Sequence, residues 1–339
     1  MLKNPEHFIK EVTKYIKNNC DIAVLGLSGG ADSTLVACLC VEALGKGNVY
    51  GLSMPCSTSD EQIFNTRSAL LAKRLKINHE NMWIGDIFIA FLNQGLTNDQ
   101  LVLGNLKARI RMTTLYGQAN KLSLTQKGKR VRVIGTGNMS EDFIGYDTKG
   151  GDALADFFPI GSLYKSEVYQ LLDYFKEQGV ITEEMIDRVP SAGLWEGQTD
   201  EQELGYSYNE MEPAIRLLRG EHVDAVSKQT LDFVSDRHRA NAHKHMAPPV
   251  FEYNNNISDL DMLKGLITDV LTKYIGKEST PMLFDVISED LRNVLSEVLH
   301  MNLNIKVVPI AEDNAVLITN DSGGFTFRFP VPFRIDKCE

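Results

Sequence analysis

Apolar positions first recur at helical spacing near the start of the chain. Phe8, Val12, Tyr15 and Ile16 share one side of an amphipathic helix predicted over residues 5–18. Ile22-Ala23-Val24-Leu25-Gly26-Leu27 is then continuously apolar, the pattern of a strand buried on both faces. The run stops at Ser28-Gly29-Gly30, and a helix from about Asp32 to Leu44 follows. The alternation continues with a strand from Asn48 to Met54 and a helix from Asp60 to Leu75. A short strand at Met82-Trp83-Ile84, a long helix from Asp99 to Lys121 and a strand at Val131-Arg132-Val133-Ile134 come next. Strands alternating with helices predict an α/β fold, a doubly wound parallel sheet flanked by helices. Ligand sites in such sheets lie at the carboxyl ends of the strands. Both glycine-led stops, after Leu27 and after Ile134, fall there.

Periodicity then weakens. Residues 145–162 and 190–206 read as long loops, the second carrying Trp195 as a lid aromatic or a packing anchor. Helices resume from about Tyr208 to Met246, and Ala247-Pro248-Pro249 breaks the chain. Beyond it, Leu283, Ile287, Leu291, Val294 and Val298 recur at helical spacing. Ile305–Ile310 and Ala315–Thr319 flank a turn at 311–314, and Phe325, Phe327 and Phe329 alternate along a strand. Two domains are therefore expected, a main one over 1–256 and a small α+β extension over 257–339.

Composition narrows the partners. The 339 residues carry a formal net charge of −10, which disfavours a nucleic-acid substrate. Cys20, Cys38, Cys40, Cys56 and Cys338 have irregular spacing and no CxxC pair, so buried thiols are expected rather than a disulfide framework. There is no signal-peptide-like apolar segment and no membrane-length run, so a cytoplasmic protein without membrane attachment is expected. His243 and His245 have no companion ligands at metal-binding spacing, and no zinc site is expected there.

The chemistry concentrates in Ser28-Gly29-Gly30-Ala31-Asp32-Ser33. Glycines let backbone N–H groups approach a phosphate, and the following helix N-terminus favours an anion. Ser28 and Ser33 add hydroxyls. A carboxylate at Asp32 suits this place when a shared Mg²⁺ bridges it to phosphate. The GxxxxGK[ST] loop is absent. A plain strand-to-helix turn is the structural alternative.

SGGxDS after a strand resembles the pyrophosphate-binding loop of the ATP pyrophosphatase superfamily, whose members adenylate a substrate oxygen. Further segments are similar to the NAD synthetases within it. These are Gly104-Asn105-Leu106-Lys107-Ala108-Arg109-Ile110-Arg111-Met112 and Gly135-Thr136-Gly137-Asn138-Met139-Ser140-Glu141. Thr148-Lys149-Gly150-Gly151-Asp152, Ala155-Asp156, the run from Pro159 to Lys165, Pro190-Ser191-Ala192 and His243-Lys244 follow in the family's order. The resemblance spans roughly residues 5–252 and leaves the segment after about 257 without a counterpart. It implies a Rossmann-like ATP pyrophosphatase fold.

Residue by residue, the resemblance implies that Gly26, Leu27, Ser28, Gly29, Gly30, Ala31, Asp32 and Ser33 bind ATP, with Thr136, Lys165 and Ser191. Asp32 and Glu141 would hold Mg²⁺. Arg109, Lys149, Asp152, Asp156, His243 and Lys244 would contact deamido-NAD. Asp32, Lys165 and Asp156 would serve catalysis, Asp156 by helping to take a proton from ammonium. The implied reaction is ATP-dependent amidation of deamido-NAD by ammonia, giving NAD, AMP and pyrophosphate. Only 27 residues precede the loop, leaving no room for the glutaminase domain of glutamine-dependent relatives, so free ammonia is expected. The resemblance also implies a homodimer. A tRNA-thiolation-like or GMP synthetase-like adenylating enzyme and a non-enzymatic nucleotide sensor are the alternatives. The tRNA-thiolation reading would call for a sulfur-carrying cysteine or a cluster-binding pair, and a basic RNA surface.

Overall fold

The central strand explains why the first apolar run has no polar positions. In the computed structural model β1 (Ile22–Gly26) pairs in parallel with β2 (Val49–Ser53) on one side and β4 (Val131–Val133) on the other. Successive side chains point to opposite faces. Ala23, Leu25 and the following Leu27 enter one core, while Ile22 and Val24 enter a second. β3 (Asn78–Asn81) pairs in parallel with β2, giving the order β3-β2-β1-β4 among the described residues. These are 1–57, 67–95, 99–187, 190–191, 198–251, 259–273, 281–299, 306–310, 315–320 and 323–328.

Helices cover both faces. α1 (Pro5–Asn19), α2 (Ala31–Leu44), α3 (Ala69–Leu75) and α7 (Lys165–Glu177) build the first core with Ala23 and Leu25. α4 (Gly85–Leu92) and α5 (Gln100–Thr125) lie with the second core, to which α5 contributes Ile110, Met112, Leu115, Ala119 and Leu122. α2 is apolar nearly all round, because the sheet, α1 and α7 enclose it. Cys20, Cys38, Cys40 and Cys56 are buried free thiols. Burial raises the Cys20 thiol to about 11, despite the opposing charge of Arg130, and Cys38 to about 12. These act as small hydrophobes.

α6 (Met139–Phe143), α8 (Asp200–Leu204), α9 (Tyr208–Leu218) and α10 (Lys228–Asn241) complete the unit Met1–Pro249. Tyr208, Met211, Ile215 and Val234 join α9 and α10 to Ile144 and Tyr164 in a third, smaller core.

Several boundaries depart from the pattern. The buried face of α1 is Ile9, Val12 and Ile16, whereas Tyr15 is exposed. Tyr15 leans on the edge of Phe157 instead, with ring centroids 5.5 Å apart. The third strand is Asn78–Asn81, four residues before the expected Met82-Trp83-Ile84. It is polar because it sits at the sheet edge, where backbone pairing to β2 rather than two-sided burial defines it. Residues 60–66 of the helix expected over 60–75 lie outside the described residues, as does Trp195. The expected helical stretch 208–246 is interrupted between α9 and α10, each with its own serine cap, Ser207 and Ser227. α6, α7 and α8 lie in stretches where periodicity gave no helix.

The unit Val250–Glu339 contains α11 (Asp259–Thr272), α12 (Pro281–Leu299) and an antiparallel sheet of β5 (Lys306–Ile310), β6 (Ala315–Asn320) and β7 (Gly323–Arg328). Ile287, Leu291 and Leu295 are buried along α12. Phe325 and Phe327 stand opposite Ile318 and Val316 in register; Phe329 lies outside the described residues. No described helix is long and apolar enough to cross a membrane.

Candidate active site

Two strand ends and one helix start converge. After β1 the chain turns through Ser28–Gly30, with Gly29 at φ +73°, a left-handed conformation that favours glycine. A Cβ at Gly29 would also stand 3.0 Å from the Arg67 Cβ. Ser28 and Ser33 hydroxyls lie 3.1 Å apart, and Thr34 Oγ1 donates to the Gly30 carbonyl at 2.8 Å. α2 begins at Ala31, so Asp32 sits in its first turn.

After β4, Asn138 caps α6. Its Oδ1 accepts the N–H groups of Ser140 and Glu141, which fixes Glu141 at the helix start. Its Nδ2 donates to Asp32 Oδ1 at 2.9 Å. One wholly buried amide therefore ties the first strand end to the second.

Lys165, the first residue of α7, closes the cluster. Its Nζ donates to Asp32 Oδ2 at 2.6 Å and to Glu141 Oε1 at 2.8 Å. Its side chain is 5% exposed, against 17% for Asp32 and 19% for Glu141. Burial alone would lower the Lys165 pKa, but the two carboxylates outweigh it and raise it. Burial pushes the Glu141 carboxyl up, against the pull of Lys165.

The start of α7 is anchored in turn. Glu212 on α9 accepts from Ser140 Oγ at 3.0 Å, Ser166 N at 2.9 Å and Ser166 Oγ at 2.6 Å. Ser140 Oγ also accepts the Lys165 backbone N–H at 2.9 Å. A carboxylate at a helix N-terminus satisfies donors that have no partner within the helix. Tyr208 adds a ring face 5.3 Å from Lys165 Nζ and donates its hydroxyl to Asp200 at 2.9 Å.

A second group forms around the turn after α6. Arg109 Nε donates to the Lys149 carbonyl at 3.2 Å, and Lys149 Nζ to the His243 carbonyl at 2.8 Å. Lys244 Nζ donates to the carbonyls of Gly145 and Asp147 at 2.7 and 2.8 Å. Asp152 Oδ1 accepts the Thr148 N–H at 2.9 Å. Gly151 lies so close to α5 that an added Cβ would meet Ala108 Cβ at 2.9 Å. Arg109, Lys149, Asp152, His243 and Lys244 are thus brought together.

Asp156 belongs to neither cluster by contact. Its Oδ2 accepts the Val133 N–H at 2.7 Å, beside β4. Thr136 follows β4 at the same strand end as Asn138, and Ser191 lies in a described coil position. Asn138, Glu212 and Tyr208 are supports that the sequence does not mark as such. Only the Asn138 cap had a local signal, a polar residue followed three positions later by Glu141. Nor does the sequence mark Asp142 and Asp147, which the fold places beside His245.

Residues 1–248 match the NAD synthase family. The chain belongs to that family. Among its relatives, the NH(3)-dependent NAD(+) synthetase of Methanosarcina acetivorans is 41% identical over 255 residues, covering 72% of this chain and 94% of the relative. Two solved structures share the fold. The NMN synthetase of Francisella tularensis is 31% identical with a TM-score of 0.62, covering 74% of this chain and 99% of that one. The NH3-dependent NAD synthetase of Campylobacter jejuni, solved with a nitrate ion, is also 31% identical, with a TM-score of 0.58, 74% of this chain covered and all of that one. NAD synthases are ligases of NAD biosynthesis with ATP as co-substrate. The family match ends just before Pro249, so the unit Val250–Glu339 lies beyond it.

Proposed function

We propose that this chain amidates deamido-NAD with ammonia, using ATP and releasing AMP and pyrophosphate. The observation that carries the reading is the meeting of Asp32, Glu141 and Lys165 beside the Ser28–Ser33 loop. Its family and its 41%-identical relative supply the reaction.

The nicotinate carboxylate oxygen attacks the α-phosphorus of ATP, and the bond to pyrophosphate breaks with its electron pair leaving on pyrophosphate. Ammonia then attacks the acyl carbon, AMP departs with the carbon–oxygen pair, and the nitrogen loses a proton to become the amide. The first step brings two anions together, so positioning and positive charge carry most of the catalysis. Loop N–H groups and the α2 N-terminus would hold the phosphates.

The donor set at Asp32 and Glu141 fits Mg²⁺. Both carboxylates already converge on one cation, the Lys165 ammonium, so their oxygens are gathered around a single positive charge, as shared binding of Mg²⁺ would require. Held by these two residues, Mg²⁺ would offset phosphate charge at the leaving group. Lys165 would contact ATP through its phosphates.

Arg109, Lys149 and Lys244 supply cationic groups, with His243 beside them, suited to the dinucleotide substrate. Asp156 is the proposed acceptor for the ammonium proton, and Asp156→Asn with unchanged ammonia-dependent turnover would remove it from that role. A homodimer in the cytoplasm completes the reading. Its support is an exposed apolar set, Trp83, Ile87, Ile89 and Phe91 around α4 with Leu101 and Val102 at the start of α5.

One assay tests the reaction: the purified chain with Mg²⁺-ATP, ammonium and either deamido-NAD or nicotinate mononucleotide, following AMP and amide product. Turnover of the dinucleotide is expected. Preference for the mononucleotide would move the chain toward the chemistry named for the Francisella tularensis protein, and no turnover with either would defeat the proposal.

A further inference from the structure

Three metal-ligating side chains meet outside the Asp32–Lys165–Glu141 cluster. Asp142 comes from α6, Asp147 from the turn behind it, and His245 from the segment after α10. Each offers one ligand atom, and these atoms lie within 4.8 Å of one another. Asp147 is the decisive member. Its side chain is 6% exposed; among the described residues Oδ1 accepts no hydrogen bond and Oδ2 is met at short range by His245. His245 Nε2 stands 2.7 Å from Asp147 Oδ2, and Lys244 Nζ stands 3.7 Å from Oδ1. Lys244 directs its hydrogen bonds to the Gly145 and Asp147 carbonyls instead. Leaving a buried carboxylate oxygen without a hydrogen bond is unfavourable unless another positive group completes its shell.

Asp142 adds to the same need. Its ligand oxygen lies within 4.8 Å of those of Asp147 and His245. A simple Asp147–His245 ion pair would not account for a second carboxylate converging on the same point.

We propose that Asp142, Asp147 and His245 form a binding site for a divalent first-row transition cation, separate from the Asp32–Glu141 pair. One imidazole nitrogen with two carboxylate oxygens is the donor set of Zn²⁺ or Co²⁺ rather than the all-oxygen shell of Mg²⁺. Three protein ligands leave a coordination position for water. A cleft of about 370 Å³ lined by Asp142, Phe143, His238, Asn241, His245 and Met246 opens beside it. The cation ties the turn that carries Lys149 to the segment that carries His243 and Lys244.

The test is a Co²⁺ titration of the chelator-treated full chain, read by visible ligand-field absorption. The expected result is one site without a thiolate charge-transfer band, since the described cysteines are buried elsewhere. Asp147→Asn and His245→Gln each weaken it by roughly tenfold or more. An Asp32→Asn/Glu141→Gln double variant keeps it. His245 is partly exposed, so H245Q tests the site even where D147N fails to fold. Wild-type-like Co²⁺ binding in folded H245Q overturns the proposal, as does loss of the only Co²⁺ signal in the double variant or absence of any signal in the wild type.

Discussion

Replacing Lys165 by Met removes the only cation that contacts both Asp32 and Glu141 among the described residues, and keeps most of the side-chain volume. Two ion pairs are lost, at 2.6 and 2.8 Å, and two carboxylates are left facing each other. Breaking a buried pair by removing one partner costs about 3–5 kcal/mol. The lower end applies here, because Asp32 and Glu141 keep 17% and 19% of their side chains exposed to water. A loss of about 3 kcal/mol corresponds to a fall in Tm of about 6–12 °C for a domain of this size. The assay is thermal unfolding of wild type and K165M in chelator and then in Mg²⁺. Mg²⁺ must compete with the ammonium in the wild type but not in the variant. It should therefore raise the Tm of K165M more than that of the wild type. Turnover should fall about 10²–10³-fold, since the group that would reach the phosphates is gone. Equal stability of the two proteins in chelator, or an equal Mg²⁺ effect on both, would refute the reasoning.

Gly29→Ala places a Cβ 3.0 Å from the Arg67 Cβ at a left-handed φ, so kcat/KM for ATP should fall about tenfold in steady-state assays with little change in the fold. Glu212→Gln loses one of the two oxygens that hold Ser140 and Ser166; a drop of about 1–2 kcal/mol in denaturant unfolding is expected, with lower kcat because Lys165 hangs from the same network. Arg130, through side-chain and backbone hydrogen bonds, holds the Asp21 carboxyl at about 2, below its unfolded value. A depressed carboxyl stabilises the fold above its unfolded pKa and loses that effect as pH falls. Asp21→Asn should therefore melt lower than wild type at pH 7, with the gap closing between about pH 4 and about pH 2; a gap independent of pH would contradict it.

The sequence by itself determined the central strand and the parallel class of the main sheet. A strand buried on both faces must be apolar at every position, so Ile22–Leu27 was legible without its neighbours. So were the glycine-led turn after it and the strand ahead of Glu141, because each rests on backbone geometry within a few residues. The edge strand Asn78–Asn81 was not legible, since one-sided pairing at the sheet edge needs no apolar pattern. Nor were the inward place of Ile9 rather than Tyr15 on α1 and the helix that begins at Lys165, whose start depends on a carboxylate 47 positions away. Motifs named Asp32, Glu141 and Lys165, but only the tertiary structure showed them sharing one ammonium, and only it placed Asp142 and Asp147 beside His245. Periodicity records which face of an element meets the core. Which charged groups meet each other is decided by the path of the backbone between them, and no local pattern carries that.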